Sequence, residues 1–553
     1  MIAARTRLLS AVVLWVALAV PTRGASGSFG TYSPTPTFDE QVVTSFYVPV
    51  RDGTRIAVAL HRPSRNGVAL EGRYPTVWQA VLDIDQAGVR RGPPDVMSRD
   101  IANLVYHGYT TVTMARRGAG ASFGTRRGYE DLTEAYDAYD IVEWIARQPW
   151  SNGQIGMYGC SNTGEAVMHA LTVRPPHLKA AFAGCFSWNR YDGFLRGGIL
   201  ANWGTGPTRT IEQDMAAVPV QDDVNRTLLR AAAEEHQAST NLLDLQHGMP
   251  FRDSWSPLVM SKFWYEASPS TYLDQIRQAG IPLYVQGGWY DDFRREGVVA
   301  WANMARDRYV IIGPWQHCVF PGFAIHNEQL RFFDAYLKNV ETGIRRDDPV
   351  HYFTVNAPAE SAWRGASTWP VPTTRNLRLM LDPARHAMTP AVPPPGTAAF
   401  TVQYPATCGT PIADPSLNTR AQPCHPATAA ASFSAAPVEQ DTEVTGHAVL
   451  SLAITSSHPD PLLFAYLEDV APDGTTVSLT DGRIRASLRA THEAPWQNLG
   501  LPWHRSFAED ASPVPIGRPT QVTFDLLPVS YIVKAGHRVQ VTVAGADYRE
   551  RLR

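Results

Sequence analysis

The chain has 553 residues, 44% of them hydrophobic and 18% charged, with 49 basic against 52 acidic side chains and a net charge of −3. That length allows two to four domains at roughly 150 residues each. The composition excludes disorder over most of the chain, and the balanced charge leaves no basic excess to bind a nucleic-acid backbone.

Arg5 and Arg7 precede an apolar run from Leu8 to Val20 that ends at Pro21. A basic start, a short apolar stretch and small residues beyond it predict a secretory signal peptide over residues 1–26, cut after Gly24 or Ser26. The run is too short to serve as a membrane anchor, so the expected mature protein is soluble, unanchored, and secreted or periplasmic. Export permits disulfides. Cys408 and Cys424 flank a Pro/Thr/Ala-rich loop and are expected to pair, for about 3 kcal/mol in the chain-entropy model. Cys160, Cys185 and Cys318 lie in apolar contexts and are expected to be small core residues.

From about 40 to 186 the pattern alternates between strand and helix. Thr76 to Val81 reads as a buried strand. Met97, Ile101, Leu104 and Val105 form a helical stripe that Gly108 can end. Tyr109 to Met114 is a second strand. Leu132, Ala135, Tyr136, Tyr139 and Val142 keep the spacing of a core-facing helix. Ile155 to Tyr158 is a short strand, then a sharp turn and a helix, and Lys179 to Phe186 is a strand again. Such alternation predicts a parallel sheet covered on both faces. Residues 187–279 read as an inserted helical cap with Trp188, Trp203, Trp255 and Trp264. The α/β pattern resumes over 280–345 with strands Ile281 to Gln286 and Arg308 to Ile312 and a helix from Asn327 to Glu341. Residues 347–553 read as an all-β domain, with Asp473-Gly474 as a hairpin turn and residues 386 to 430 as an irregular excursion.

The sharpest local feature is Gly159-Cys160-Ser161-Asn162-Thr163-Gly164, between a strand and a helix. A nucleophile elbow needs small residues there because side chains would collide with the neighbouring strand and helix. A serine nucleophile also needs a base and an orienting carboxylate. The strand Ile281 to Gln286 runs into Gly287-Gly288-Trp289-Tyr290-Asp291-Asp292, and the next runs into Gly313-Pro314-Trp315-Gln316-His317. Strand ends are where open α/β sheets place their sites. Asp291 is therefore the candidate acid and His317 the candidate base, with Asp292 as the alternative acid or a helix cap. Cys160 is the weaker candidate nucleophile, since the elbow frame puts Ser161 at its apex. The sequence carries no phosphate-loop, zinc-protease or dinucleotide fingerprint, and no cofactor or metal is expected.

The segments GMYGCSNTGEA, GGWYDDF and IIGPWQH, with Arg117-Gly118, QPWSNG and NEQLRFFD, resemble those of the CocE/NonD hydrolases, the cocaine-esterase-like, X-prolyl dipeptidyl peptidase (S15-like) group. The likeness runs from about 45 to 545. It implies an α/β-hydrolase domain, a helical cap and a C-terminal jelly-roll (galactose-binding-like) domain. It also implies a triad of Ser161, Asp291 and His317, with the Asn162 N–H as an oxyanion donor. The substrate class it implies is a small-molecule ester, amide or short peptide, with ester hydrolysis ahead of X-Pro dipeptide release. Three departures stand out. Asn162 replaces a usual tyrosine. Asp83 lies where many members offer a tyrosine hydroxyl as second donor, leaving at most a backbone N–H there. The chain also stops soon after Asp547. The amino-acid ester branch carries acids where this chain has Phe293 and Arg294, which argues against a free α-amino group in the substrate. An inactive, binding-only member is the reading of another class.

Overall fold

The computed structural model describes residues 5–9, 16–18, 29–82, 101–128, 130–200, 209–404 and 425–547. Its N-terminal half is built on one large sheet. We label the main strands of that sheet β1 (Gln41–Pro49), β2 (Arg55–Arg65), β3 (Tyr74–Val81), β4 (Thr110–Ala115), β5 (Ser151–Cys160), β6 (Leu178–Gly184), β7 (Leu283–Gly288), β8 (Arg308–Gly313), β9 (Val350–Phe353) and β10 (Trp363–Ala366). Their spatial order is β10-β9-β8-β7-β6-β5-β3-β4-β2-β1. The run from β4 to β9 is parallel throughout. The outer strands β1, β2 and β10 are antiparallel to their neighbours. The parallel strands are apolar on both faces, as burial on two sides demands. Val77, Ile155, Met157, Phe182, Val285 and Ile311 are all sealed from solvent. Strands β9 and β10 carry this sheet past residue 347, the boundary read from the change in pattern, because a short strand pair gives the same local signal whichever sheet it joins.

The longer helices that flank the sheet among the described residues are α1 (Leu132–Ala146), α2 (Asn162–Val173), α3 (Arg294–Asn303) and α4 (Ile325–Leu337). Asp131 caps α1 by accepting the Thr133 and Glu134 N–H groups. The buried face of α1 is Ala135, Ala138, Ile141, Val142 and Ile145. It is rotated from the expected stripe: Tyr136 is exposed and lies under the Arg51 guanidinium. Aliphatic side chains fill the interface, and the tyrosine hydroxyl stays in water. The stripe ending at Gly108 forms a 3₁₀ helix, Ala102–His107, with Gly108 at φ 84°, and Met97 lies outside the described residues. Between β6 and β7 the described residues form helices and turns and no strand, including Arg190–Phe194, Thr227–His236, Leu242–His247 and Leu273–Ala279. Trp264 is buried against Tyr191 and Phe194 and packs the cap, whereas Trp188 is buried in the apolar cluster of the large sheet.

The C-terminal half is all-β. A six-stranded sheet includes Ala430–Ser434, Arg538–Ala544, Leu462–Val470 and Thr476–Arg485. The last two form a hairpin that turns through Asp473 and Gly474, the glycine at φ 88°. Two four-stranded sheets share its core, with Leu450, Ile454, Val444, Leu463 and Val541 in one apolar cluster. Short strands Ala387–Thr389 and Thr397–Thr401 order part of the expected irregular excursion. The N-terminal segments Arg5–Leu9 and Val16–Leu18 run antiparallel to strands of the two smaller sheets. Among the described residues no helix is long and apolar enough to cross a membrane.

Candidate active site

Strand β5 delivers Ser161 to the carboxyl edge of the sheet, where α2 begins. Ser161 has φ 65° and ψ −133°, a conformation rare for any residue with a side chain. Two glycines make it possible. A Cβ on Gly159 would lie 2.1 Å from the Thr163 carbonyl oxygen, and one on Gly164 would lie 2.3 Å from that of Gly184. The second glycine thus falls three residues after the serine, where α2 crosses the end of β6. Thr163 fits at the intervening position because its hydroxyl accepts from the Cys160 N–H and donates to the Cys160 carbonyl, both at 2.7 Å. The Ser161 N–H donates to Gly184 O at 3.0 Å, which fixes the apex against β6.

The acid and the base arrive from the two next strands beyond β6. After β7, Asp291 accepts the Phe293 N–H through Oδ1 at 3.1 Å and faces His317 Nδ1 through Oδ2 at 3.1 Å. After β8, His317 places Nε2 2.7 Å from Ser161 Oγ. These partners assign the tautomer: Nδ1–H donates to Asp291, and Nε2 accepts from the serine hydroxyl. Ser161 and His317 are half-buried and Asp291 is buried. Burial pushes the Asp291 carboxyl up, but the facing His317, with hydrogen bonds from His317, Cys185 and the Phe293 N–H, outweighs it and brings the group down to about 2. Asp291 therefore stays ionised over the working range. It can hold the imidazole in this tautomer and stabilise its protonated form. The contact to His317 and the bond from the Phe293 N–H, just before α3, are both made by Asp291. Asn162 is the first residue of α2, so its N–H has no intrahelical acceptor and is free to serve an oxyanion. Asp83 lies outside the described residues.

The cysteines differ from expectation. Cys160 and Cys318 form a disulfide across 158 residues, although both were expected to be core thiols. They sit in apolar surroundings as expected, but the loop after β8 folds back over the ends of β7 and β6 and brings the two together. Cys408 and Cys424 lie outside the described residues. Cys185, at the end of β6, keeps its thiol and donates a hydrogen bond to Asp291. Ligand atoms of Cys160, Cys185 and Cys318 lie within 4.8 Å of one another, as do those of Cys185, Asp291 and His317. The disulfide and the Asp291–His317 contact commit most of these atoms to one another.

Arg294, which the sequence offers only as a departure from the amino-acid ester branch, has a structural part in the site. It is buried at the start of α3 and donates to Asp291 O at 3.0 Å, Pro528 O at 2.9 Å and Thr480 Oγ1 at 3.0 Å. Burial pulls its guanidinium down to about 10, with Asp481 nearby opposing the shift, so it remains charged at neutral pH. It ties the acid loop to the β domain. Arg294→Met should leave those acceptors unmet, destabilise the protein by roughly 1–3 kcal/mol and lower kcat more than it raises KM. Thermal melts and steady-state kinetics check this, and an unchanged kcat would confine Arg294 to domain packing.

The comparisons with known proteins agree with this architecture. A family model described as X-Pro dipeptidyl-peptidase (S15 family) matches residues 52–319, and one for the X-Pro dipeptidyl-peptidase C-terminal non-catalytic domain matches residues 342–551. The chain is 30% identical over 577 residues to a predicted serine esterase of Mycobacterium bovis, covering 91% of this chain and 90% of that one. It is 24% identical over 569 residues to the cocaine esterase of a Rhodococcus species, covering 92% and 91%. Among solved structures, a CocE/NonD family hydrolase from Staphylococcus aureus superposes with a TM-score of 0.70 at 19% identity, covering 96% of this chain and 92% of that one. An α-amino acid ester hydrolase superposes with a TM-score of 0.67 at 17% identity, covering 94% and 92%. The two structural likenesses show the fold; the full-length relative at 30% identity, with family models over both halves, shows that the chain belongs to the CocE/NonD (S15-like) family of serine hydrolases.

Proposed function

We propose that the protein is an exported esterase that works through an acyl-enzyme on Ser161 and favours apolar or aromatic esters. The observation that carries this reading is the hydrogen-bonded chain from Asp291 through His317 to Ser161 on a strained elbow. His317 Nε2 takes the serine proton as Oγ attacks the ester carbonyl. The Asn162 N–H donates to the oxyanion, and the proton on Nε2 passes to the leaving alcohol. Water, deprotonated by the same nitrogen, then releases the acid and restores the serine. The apolar preference is supported by the Phe293 ring, 5.7 Å from the His317 ring. An aminoacyl substrate is disfavoured because Phe293 and Arg294 stand where an ammonium group would need carboxylates. Export is supported by the Arg5 to Val20 pattern and by a disulfide, which persists in oxidising compartments. N-terminal sequencing of exported protein should begin near Ala25 or Gly27.

The S15 family model favours X-Pro dipeptide release as the second reading. Matched p-nitrophenyl esters and anilides separate the two. With Asp83 in place of a tyrosine donor, esters should exceed anilides in kcat/KM by roughly 100-fold or more beyond their difference in intrinsic reactivity, since one oxyanion donor is worth about 100- to 1000-fold. Asp83→Tyr should narrow that gap. Efficient cleavage of X-Pro anilides by the unaltered enzyme would put the peptidase reading first.

A further inference from the structure

Each member of the proposed triad has a cysteine against it. Cys160 directly precedes Ser161, Cys318 directly follows His317, and Cys185 donates to Asp291. Cys160 and Cys318 are bonded and nearly sealed from solvent, at 0% and 3% exposure. Cys160 ends β5 and Cys318 lies in the loop after β8, and these two strands are not neighbours, because β6 and β7 lie between them. At about 4.8 Å per strand, His317 must reach back roughly 14 Å across the sheet edge to meet Ser161. The segment that makes this reach is irregular. Cys318 has φ 57°, and Gln316 and Val319 meet in an isolated bridge. Hydrogen bonds from one acid loop do not by themselves fix a loop end to a distant strand, and a covalent bond one residue from each reacting atom does.

We propose that the Cys160–Cys318 disulfide is a positioning element of the active site, which holds His317 Nε2 on Ser161 Oγ and makes the reaction rate depend on its oxidation. This rests on the reading of Ser161 and His317 as nucleophile and base. Catalytic groups displaced by about 1 Å lose roughly 100-fold in rate, and the disulfide closes the shortest covalent path between these two. Reduction by a dithiol moves two electrons and two protons onto the sulfur–sulfur bond. It leaves two cysteine thiols and a cyclic disulfide from the reductant. The histidine loop is then held by non-covalent contacts alone. Cys185 lies within reach of both sulfurs. A single substitution would therefore leave it as a substitute partner for the remaining cysteine, and both must be replaced together.

The test compares the unaltered enzyme with Cys160→Ala/Cys318→Ala on a p-nitrophenyl ester. The expected result is a fall in kcat of about 100-fold, KM within about threefold, an altered pH profile of kcat and an unchanged near-ultraviolet circular dichroism spectrum. If the double variant does not fold, the unaltered enzyme is titrated with dithiothreitol. Mass spectrometry of alkylated Cys160 and Cys318 then gives the fraction reduced. Activity should fall with that fraction while the near-ultraviolet spectrum holds, and return on reoxidation. Full kcat in the double variant or the reduced enzyme would overturn the proposal, and so would activity lost only as the spectrum is lost. Ser161→Ala run alongside separates the readings: full activity there would show the nucleophile assignment to be wrong, whatever the cysteines do.

Discussion

Ser161→Ala, His317→Ala and Asp291→Asn should each remove most of the hydrolytic activity, by about 10⁴-fold or more, while the protein stays folded. The three side chains form one hydrogen-bonded chain, with contacts of 2.7 and 3.1 Å. Removing any one disables the proton transfer that the others support, so double variants should be no worse than the poorer single one. Asp291→Asn leaves the shape nearly unchanged but takes away the charge that favours protonated His317. Asp292→Asn should be mild, because the His317 contact belongs to its neighbour. A crippling Asp292→Asn beside a mild Asp291→Asn would reverse the assignment of the acid. Steady-state kinetics with melting curves on each variant make the comparison.

Gly159→Ala and Gly164→Ala should be nearly as damaging without touching a reacting atom. Each new methyl would fall within 2.3 Å of a backbone carbonyl oxygen, Thr163 O in one case and Gly184 O in the other. Backbone cannot rotate away as a side chain can, so α2 or the end of β6 must shift. Ser161 and Asn162 lie between those points. Overpacking of this kind costs about 1–3 kcal/mol in stability, and the displacement should lower kcat by about 100-fold or more. Gly287→Ala is the control: it also lies at a strand end near the site, and a Cβ there meets nothing within 4 Å. It should change melting temperature and kcat little. Equal behaviour of all three variants would mean that the elbow is not under the steric constraint described.

The elbow was legible because its requirements are local. A strand, two glycines and a serine within six residues state the geometry by themselves, and α/β order then points to Asp291 and His317 at the next strand ends. The disulfide was not legible in the same way. Cys160 and Cys318 are 158 residues apart, and only the crossing of the histidine loop over β7 and β6 brings them together. A Pro-rich loop with two nearby cysteines gave the stronger local signal. Arg294 was read as a departure from a family pattern. Its partners, Pro528 and Thr480, lie in the other half of the chain, and no local spacing could name them. The α1 face was misjudged by about one position around the helix because Tyr136 counts as apolar in a periodicity but keeps its hydroxyl in water. Strands β9 and β10 join the large sheet although they lie past residue 347, because local pattern shows that a strand exists and not which neighbour it pairs with.

The central claim is that Ser161 is an activated nucleophile, and a fluorophosphonate probe tests it most directly because that reagent requires one. Labelled protein would be digested and the adduct located by tandem mass spectrometry. A single adduct on Ser161 is expected, with labelling slowed by orders of magnitude in His317→Ala at unchanged fold. A folded protein that takes no label, or takes it at another residue, would contradict the account.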